Sequence, residues 1–267
     1  MKPLYVLKIG GSVATYKDRR GFSVRKNLLK KIAINLKKTL KSKKFHLILV
    51  HGAGAMGHQL AKKYALQKGT GKNQWKIKGA LLSQAANKKL NVAINKILKT
   101  CKLNVFSVHP SVSIIQKNGK IVFCDIKTIK KCLQRKLIPL LYGEMVFDKK
   151  TGFSVCSGDA IVAYLAKKFE VQKIFFASDV NGIFEKDPYI YKKAKLVQKI
   201  NLSKFNRKIK ISQSHNKDVT GGLLGKIEKM RKIKNSSVKT IEIFNGLKPE
   251  NFSKTLLGIT FEHTVIE

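Results

Sequence analysis

Leu4-Tyr5-Val6-Leu7-Lys8-Ile9-Gly10-Gly11-Ser12 is a short apolar run that ends abruptly on two glycines. His46-Leu47-Ile48-Leu49-Val50-His51-Gly52-Ala53-Gly54 repeats the pattern further along the chain. Between the two, Val24 to Lys41 carries Leu28, Leu29, Ile32, Ile34 and Leu36 among lysines at near-helical spacing, so the opening of the chain reads as strand, helix, strand. Working outward, Leu103 to Val108, Ile138 to Leu141, Lys173 to Ala177 and Thr240 to Phe244 are further strand candidates. Segments such as Ile126 to Arg135 and Asp159 to Phe169 have helical character and lie between them. Repeated alternation of this kind predicts an α/β protein, a three-layer αβα sandwich around a mainly parallel sheet. Ligands of such sheets bind at the carboxyl ends of the strands, where these glycine clusters fall.

Two segments break the alternation. Ser113 to Phe123 holds Asn118-Gly119 between apolar pairs, and the turn Asp148 to Gly152 separates Met145-Val146-Phe147 from Phe153-Ser154-Val155. Both read as β-hairpins placed near a substrate site. Without a repeat, a low-complexity linker or a Pro-rich hinge, residues 1–267 are expected to form one unit.

The charge balance is lopsided, 55 basic against 15 acidic residues, giving +40 at pH 7. A polyanion partner is the first thought. The basic residues, however, are 49 lysines and only 6 arginines, scattered as pairs from Lys30-Lys31 to Lys192-Lys193. Arginine forks are the preferred phosphate and base readers, and no aromatic residues interleave with a basic stripe, so no specific nucleic-acid partner is expected. The excess reads first as a solvated surface and second as an aid to polyanion binding, with a basic nucleic-acid-binding or regulatory protein as the alternative from charge alone. In either case it attracts phosphorylated small molecules. Cys101, Cys124, Cys132 and Cys156 show no metal or disulfide spacing, which suits a reducing compartment. No apolar stretch approaches the ~18 residues of a membrane span, and Met1-Lys2-Pro3 runs straight into the first strand. A cytoplasmic protein without a signal peptide is expected.

Five motifs carry the chemistry. Lys8 with Gly10-Gly11-Ser12 places an ammonium group and bare backbone N–H groups at a strand end, suited to phosphate oxygens. Gly52, Gly54 and Gly57 make a second such turn, with His58 just beyond it. Two phosphate-cradling turns on neighbouring strands suit two phosphorylated ligands facing each other. Ser157-Gly158-Asp159 opens a helix, and Asp159 is either its N-cap or a buried carboxylate that organises lysines. Ser178-Asp179-Val180-Asn181-Gly182 is a turn, and Asp218-Val219-Thr220-Gly221-Gly222 precedes Lys226.

K-I-G-G-S, H-G-A-G, S-G-D, S-D-V-N-G-I and D-V-T-G-G with a downstream lysine, in this order over almost the whole chain, resemble the amino acid kinase superfamily. The extension G-A-M-G-H-Q-L-A-K-K-Y resembles the branch that phosphorylates isopentenyl phosphate in the alternate mevalonate route. The resemblance implies the following roles. Lys8, Gly10, Gly11 and Ser12 hold the ATP phosphates, and Lys17 stabilises the transferring phosphoryl group. His58 hydrogen-bonds the acceptor phosphate, Ala53 and Gly54 lie between donor and acceptor, and Gly57 and Gly158 meet the substrate. Asp159 orders the lysines, while Asp179, Gly221 and Lys226 contact the nucleotide. A substrate lobe of about 1–170, a nucleotide lobe of about 171–267, Mg2+ without a dedicated protein ligand and a homodimer are implied as well. Fosfomycin-phosphorylating kinases share the histidine and are the nearest rival.

Several positions depart from that pattern: Ala53 for a glycine, Met56 for Phe, Gln59 for Pro, Ala160 for a second Asp, and Tyr142-Gly143-Glu144 for H-G-D. The Ala53 side chain could crowd a bound phosphate. For an alkenyl tail, candidate walls lie on a helix from Trp75 to Ala86, with Ile77, Leu81, Leu82 and Ala85 as walls or simply core residues, and Gly79 leaving room for the tail.

Overall fold

A computed structural model describes residues 2–16, 23–202, 233 and 237–267. The strands are β1 (Leu4–Ile9), β2 (His46–His51), β3 (Val105–Ser107), β4 (Ile114–Lys117), β5 (Lys120–Cys124), β6 (Ile138–Tyr142), β7 (Glu144–Asp148), β8 (Gly152–Cys156), β9 (Val171–Ser178), β10 (Ile183–Phe184), β11 (Leu196–Val197), β12 (Lys199–Ile200), β13 (Thr240–Asn245) and β14 (Thr264–Ile266). Eight of them form one sheet in the order β12-β14-β13-β9-β1-β2-β6-β3. Its pairs are parallel except β13 with β14. The expected mainly parallel α/β sandwich is what the chain forms.

Alternation along the strands sorts the core to two faces. Val6, Ile48, Val50 and Ile174 pack with Ile161, Val162 and Leu165 of the helix Gly158–Lys168. Tyr5, Leu7, Leu47, Leu49 and Phe175 pack on the other side with Leu29, Ile32 and Leu36 of the helix Lys26–Ser42, Leu90, Ile94 and Leu98 of the helix Gln74–Thr100, and Phe252 and Leu256 of the helix Glu250–Leu257. β1 lies at the centre, with Lys8 in register with Val50 on one side and Phe176 on the other.

The two hairpins join into a second sheet, β5-β4-β7-β8, through the parallel pair β4 and β7. Asn118 and Gly119 both take positive φ, 52° and 73°, as a tight two-residue hairpin turn requires. Asp148 fastens the sheet. Its carboxylate accepts from the N–H groups of Asn118, Gly119, Lys150 and Thr151 and from the Ser154 hydroxyl, at 2.7 to 3.1 Å.

Candidate active site

The strand ends meet as the glycines foretold. Gly10 N–H donates to the Ala177 carbonyl at the end of β9, and Gly52 N–H donates to the Ile9 carbonyl. A methyl group on Gly52 would lie 2.7 Å from Gly11 N, and one on Gly10 would lie 2.7 Å from Ala177 O. No side chain fits between these turns, so main chain from β1, β2 and β9 approaches main chain directly. Gly54, at φ 71°, starts the helix Gly54–Lys63, and Thr15 locks it to the first turn by donating to Gly11 O and accepting from Ala55 N.

Lys8 and Asp159 bring charge to this junction. The Lys8 ammonium donates to the Asp159 carboxylate at 2.6 Å, both side chains being mostly buried. Ser157, not Asp159, caps the helix Gly158–Lys168, accepting from Ala160 N–H. Asp159 therefore stands in the first turn with its carboxylate turned to Lys8, and the capping alternative falls away. A methyl on Gly158 would touch His51 O at 3.2 Å and Lys8 Cε at 3.3 Å, while one on Gly143 would approach Gly158 N at 3.2 Å and Ala53 N at 3.4 Å. Four turns thus converge: those after β1, β2 and β6 and the one before the helix Gly158–Lys168.

Of the expected site residues, Lys8, Gly10, Gly11, Ala53, Gly54, Gly158 and Asp159 come together here, with Ser12 in the short helix that follows Gly10. His58 lies on the helix Gly54–Lys63, on an exposed position. Gly57 is buried below it, where a methyl would meet Asn87 Oδ1 of the helix Gln74–Thr100 at 2.1 Å. Asp179 follows the end of β9 and accepts from the Ser178 hydroxyl. Lys17, Gly221 and Lys226 lie outside the described residues.

Ala53 has ordinary right-handed backbone, φ −63° and ψ −14°, so its Cβ needs no special conformation. Leu81 and Leu82 are exposed and not core residues. Gly79, expected to leave room for a ligand tail, is instead filled by Tyr64, whose ring lies 2.1 Å from where a Cβ would be. Gly143 and Thr15 were not foreseen as site residues. The glycine of Tyr142-Gly143-Glu144 was the available signal, and Thr15 had none.

Glu144, one residue on from Gly143, is buried. Burial raises its pKa, against the opposing pull of the Ser111 N–H donor and Tyr142. Among the described residues no three His, Cys, Asp or Glu side chains cluster to hold a metal, and no helix is long and apolar enough to cross a membrane. The groups assembled here are backbone N–H donors, a lysine and a carboxylate that orients it, a set suited to holding phosphate oxygens.

The chain resembles known proteins over nearly its whole length. The chain is 36% identical over 262 residues to an isopentenyl phosphate kinase of Methanocaldococcus jannaschii, covering 96% of this chain and 95% of that one. It is 30% identical to the isopentenyl phosphate kinase of Methanothermobacter thermautotrophicus, covering 96% of each. A crystal structure of isopentenyl phosphate kinase superposes with a TM-score of 0.83 at 28% identity, over 98% of this chain and 100% of that one. Residues 3–245 match the model of the amino acid kinase family, and the chain belongs to that family.

Proposed function

We propose that this chain transfers the terminal phosphoryl group of ATP to the phosphate oxygen of isopentenyl phosphate, giving isopentenyl diphosphate and ADP. The observation that carries the proposal is the Lys8–Asp159 pair at the meeting point of four glycine-lined turns. The relatives at 36% and 30% identity, both named isopentenyl phosphate kinase, support the substrate.

In phosphoryl transfer the bond between the acceptor oxygen and the γ-phosphorus forms as the bond from that phosphorus to the ADP oxygen breaks. Positioning and charge neutralisation supply most of the acceleration. Lys8 and the backbone N–H groups of Gly11 and Ser12 hold the donor phosphates, while Gly10, whose own N–H is taken by the Ala177 carbonyl, sets the turn. Asp159 fixes the direction of the Lys8 ammonium group. Ala53 and Gly54 stand between donor and acceptor, and His58, Gly57 and Gly158 receive the acceptor phosphate. Asp179 meets the nucleotide, and Lys17, Gly221 and Lys226 complete the set. A phosphate monoester, with a second pKa of about 6, is already ionised at neutral pH, so no general base is required. Mg2+ entering with ATP would supply further neutralisation of phosphate charge, with no dedicated protein ligand proposed for it.

Residues of about 1–170 form the acceptor lobe and those of about 171–267 the nucleotide lobe. A homodimer belongs to the same proposal and is supported by the edge strand β3, where Phe106 is exposed, as is Val92 on the neighbouring helix. So does a cytoplasmic location, supported by four free thiols. Purified protein with Mg-ATP and a panel of isopentenyl phosphate, dimethylallyl phosphate, fosfomycin, UMP and acetylglutamate tests the reaction. Highest kcat/KM on isopentenyl phosphate is expected. Preference for fosfomycin or acetylglutamate overturns the substrate, and no transfer to any acceptor overturns the reaction.

A further inference from the structure

His51 closes β2 immediately before the glycine turn and is wholly buried. Its ring stacks on Tyr142 of the adjacent strand, with centroids 5.1 Å apart and planes at 5°. Nδ1 lies 2.8 Å from the carbonyl oxygen of Gly52, and Nε2 lies 3.3 Å from Oδ1 of Asn91. Asn91 continues to the Ser107 hydroxyl at 3.0 Å, which Asn95 also reaches at 2.7 Å. The chain of side chains ends in a groove of about 460 Å3 lined by Asn91, Asn95, Ser107 and His109.

Burial lowers the His51 pKa to about 4, the hydrogen bonds to Gly52 and Asn91 opposing it, so the ring is neutral at neutral pH. A neutral imidazole carries one N–H. The Gly52 carbonyl can only accept, so that hydrogen sits on Nδ1 and Nε2 presents a lone pair. The Asn91 amide as placed has Oδ1 toward the ring and Nδ2 toward Ser107. A half-turn that exchanges these two atoms gives the bare Nε2 a donor and the Ser107 hydroxyl an acceptor. Every member now has one consistent sense. Asn95 donates to Ser107, Ser107 donates to Asn91, Asn91 donates to His51, and His51 donates to Gly52.

We propose that His51, held as the Nδ1–H tautomer by Asn91 and Ser107, is a positioning residue that pins the Gly52 carbonyl and so fixes the Gly52-Ala53-Gly54 turn for phosphoryl transfer. The backbone reinforces the same point, because the His51 carbonyl accepts from Gly143 N–H and borders Gly158. One residue thereby touches three of the four converging turns without facing the ligand. The catalytic part of the inference rests on the kinase function proposed above, whereas the tautomer does not.

Two measurements decide it. Asn places an N–H where Nδ1 was, whereas Gln reaches the place of Nε2. His51→Leu and His51→Gln are expected to lose about a hundredfold in kcat with KM for ATP and isopentenyl phosphate changed less than about threefold, the size of effect a misplaced reacting group produces. His51→Asn is expected to restore most of that turnover. Equal loss in Asn and Gln variants, or loss expressed in KM alone, overturns the positioning role.

Because these variants could fail to fold, 15N-histidine NMR of the wild-type chain gives a second, activity-free readout, with the signal assigned by its disappearance in His51→Asn or by through-bond correlation. A protonated Nδ1 and bare Nε2 across pH 6 to 8.5 are expected, and an Nε2–H tautomer or a ring that titrates in that range overturns the assignment. A wild-type chain that shows the expected tautomer yet phosphorylates nothing sinks the kinase function and not the hydrogen-bond order.

Discussion

Asp159, in the first turn of a helix, and Asp148, at the end of β7, are both buried carboxylates, yet they hold different things. Asp148 is surrounded by the main chain of its own two hairpins and a neighbouring hydroxyl. Asp159 is turned to a lysine that comes from a strand 151 residues earlier in the sequence. Backbone N–H groups are fixed by the fold, so a carboxylate spent on them makes architecture. A lysine brings a mobile charge, so a carboxylate that steers it leaves donors of the same ammonium group available for a ligand's oxygens.

The largest effect that tests this contrast is on catalysis. Lys8→Met is expected to lower kcat by about two to three orders of magnitude, as removal of a donor aimed at transition-state charge does, while circular dichroism shows a folded chain. Wild-type turnover in that variant breaks the contrast at the site.

Asp148→Asn should invert the outcome, costing stability and sparing chemistry. The amide would turn an NH2 toward the Gly119 N–H and the Ser154 hydroxyl, and one broken buried network of this kind costs about 1–3 kcal/mol. Burial alone would raise the Asp148 pKa, but the N–H groups of Gly119, Lys150, Asn118 and Thr151 outweigh it and hold the carboxyl well below the usual carboxylate range. A depressed folded pKa stabilises above the unfolded value of about 4 and stops doing so as pH falls through the folded one. Urea titrations should therefore show the gap between wild type and Asp148→Asn at pH 7 and its narrowing below pH ~4. A kcat changed more than about twofold would mean that the hairpin sheet does more than frame the site.

The smallest effect lies on the opposite side of the sheet. Glu242 of β13 accepts from Lys173 and Thr255 and faces His263 at 3.5 Å. Burial lowers the His263 pKa, but Glu242 and the Phe261 carbonyl raise it by more, and the net direction is up. A raised folded pKa gives stability that is complete below the unfolded value of about 6.5 and is lost as pH rises through the folded one. His263→Gln is expected to cost about 1 kcal/mol or less, visible in urea at pH 6 and absent at pH 9. A gap that grows with pH would show that the ring works as an uncharged packing group.

The parts of this molecule legible in the sequence are those where local pattern and tertiary demand coincide. β1, β2, β6, β9 and β13 are apolar runs closed by turns, and the Asn118-Gly119 hairpin announces itself by the one turn type it can make. β10, β11, β12 and β14 are two or three residues long, and only their partners make them strands. The helix expected over Trp75 to Ala86 runs from Gln74 to Thr100, because Leu90, Ile94 and Leu98 continue its buried face beyond the segment singled out.

At the site, Lys8, Gly10, Gly11, Gly158 and Asp159 could be read from motif order, since glycine turns that recur at several strand ends, with a lysine and an aspartate beside them, go beyond what one tight turn needs. Gly79 could not. A glycine that admits a tyrosine ring from another helix looks the same in sequence as one that admits a ligand.

β1 is bonded to β2 and to β9 along its whole length, and Lys8 is aligned with a residue of each. The two halves of the sheet are therefore riveted through the very strand that carries this lysine. The backbone of Lys8 is thus held from both sides, a common reference for the groups that either half brings to the site.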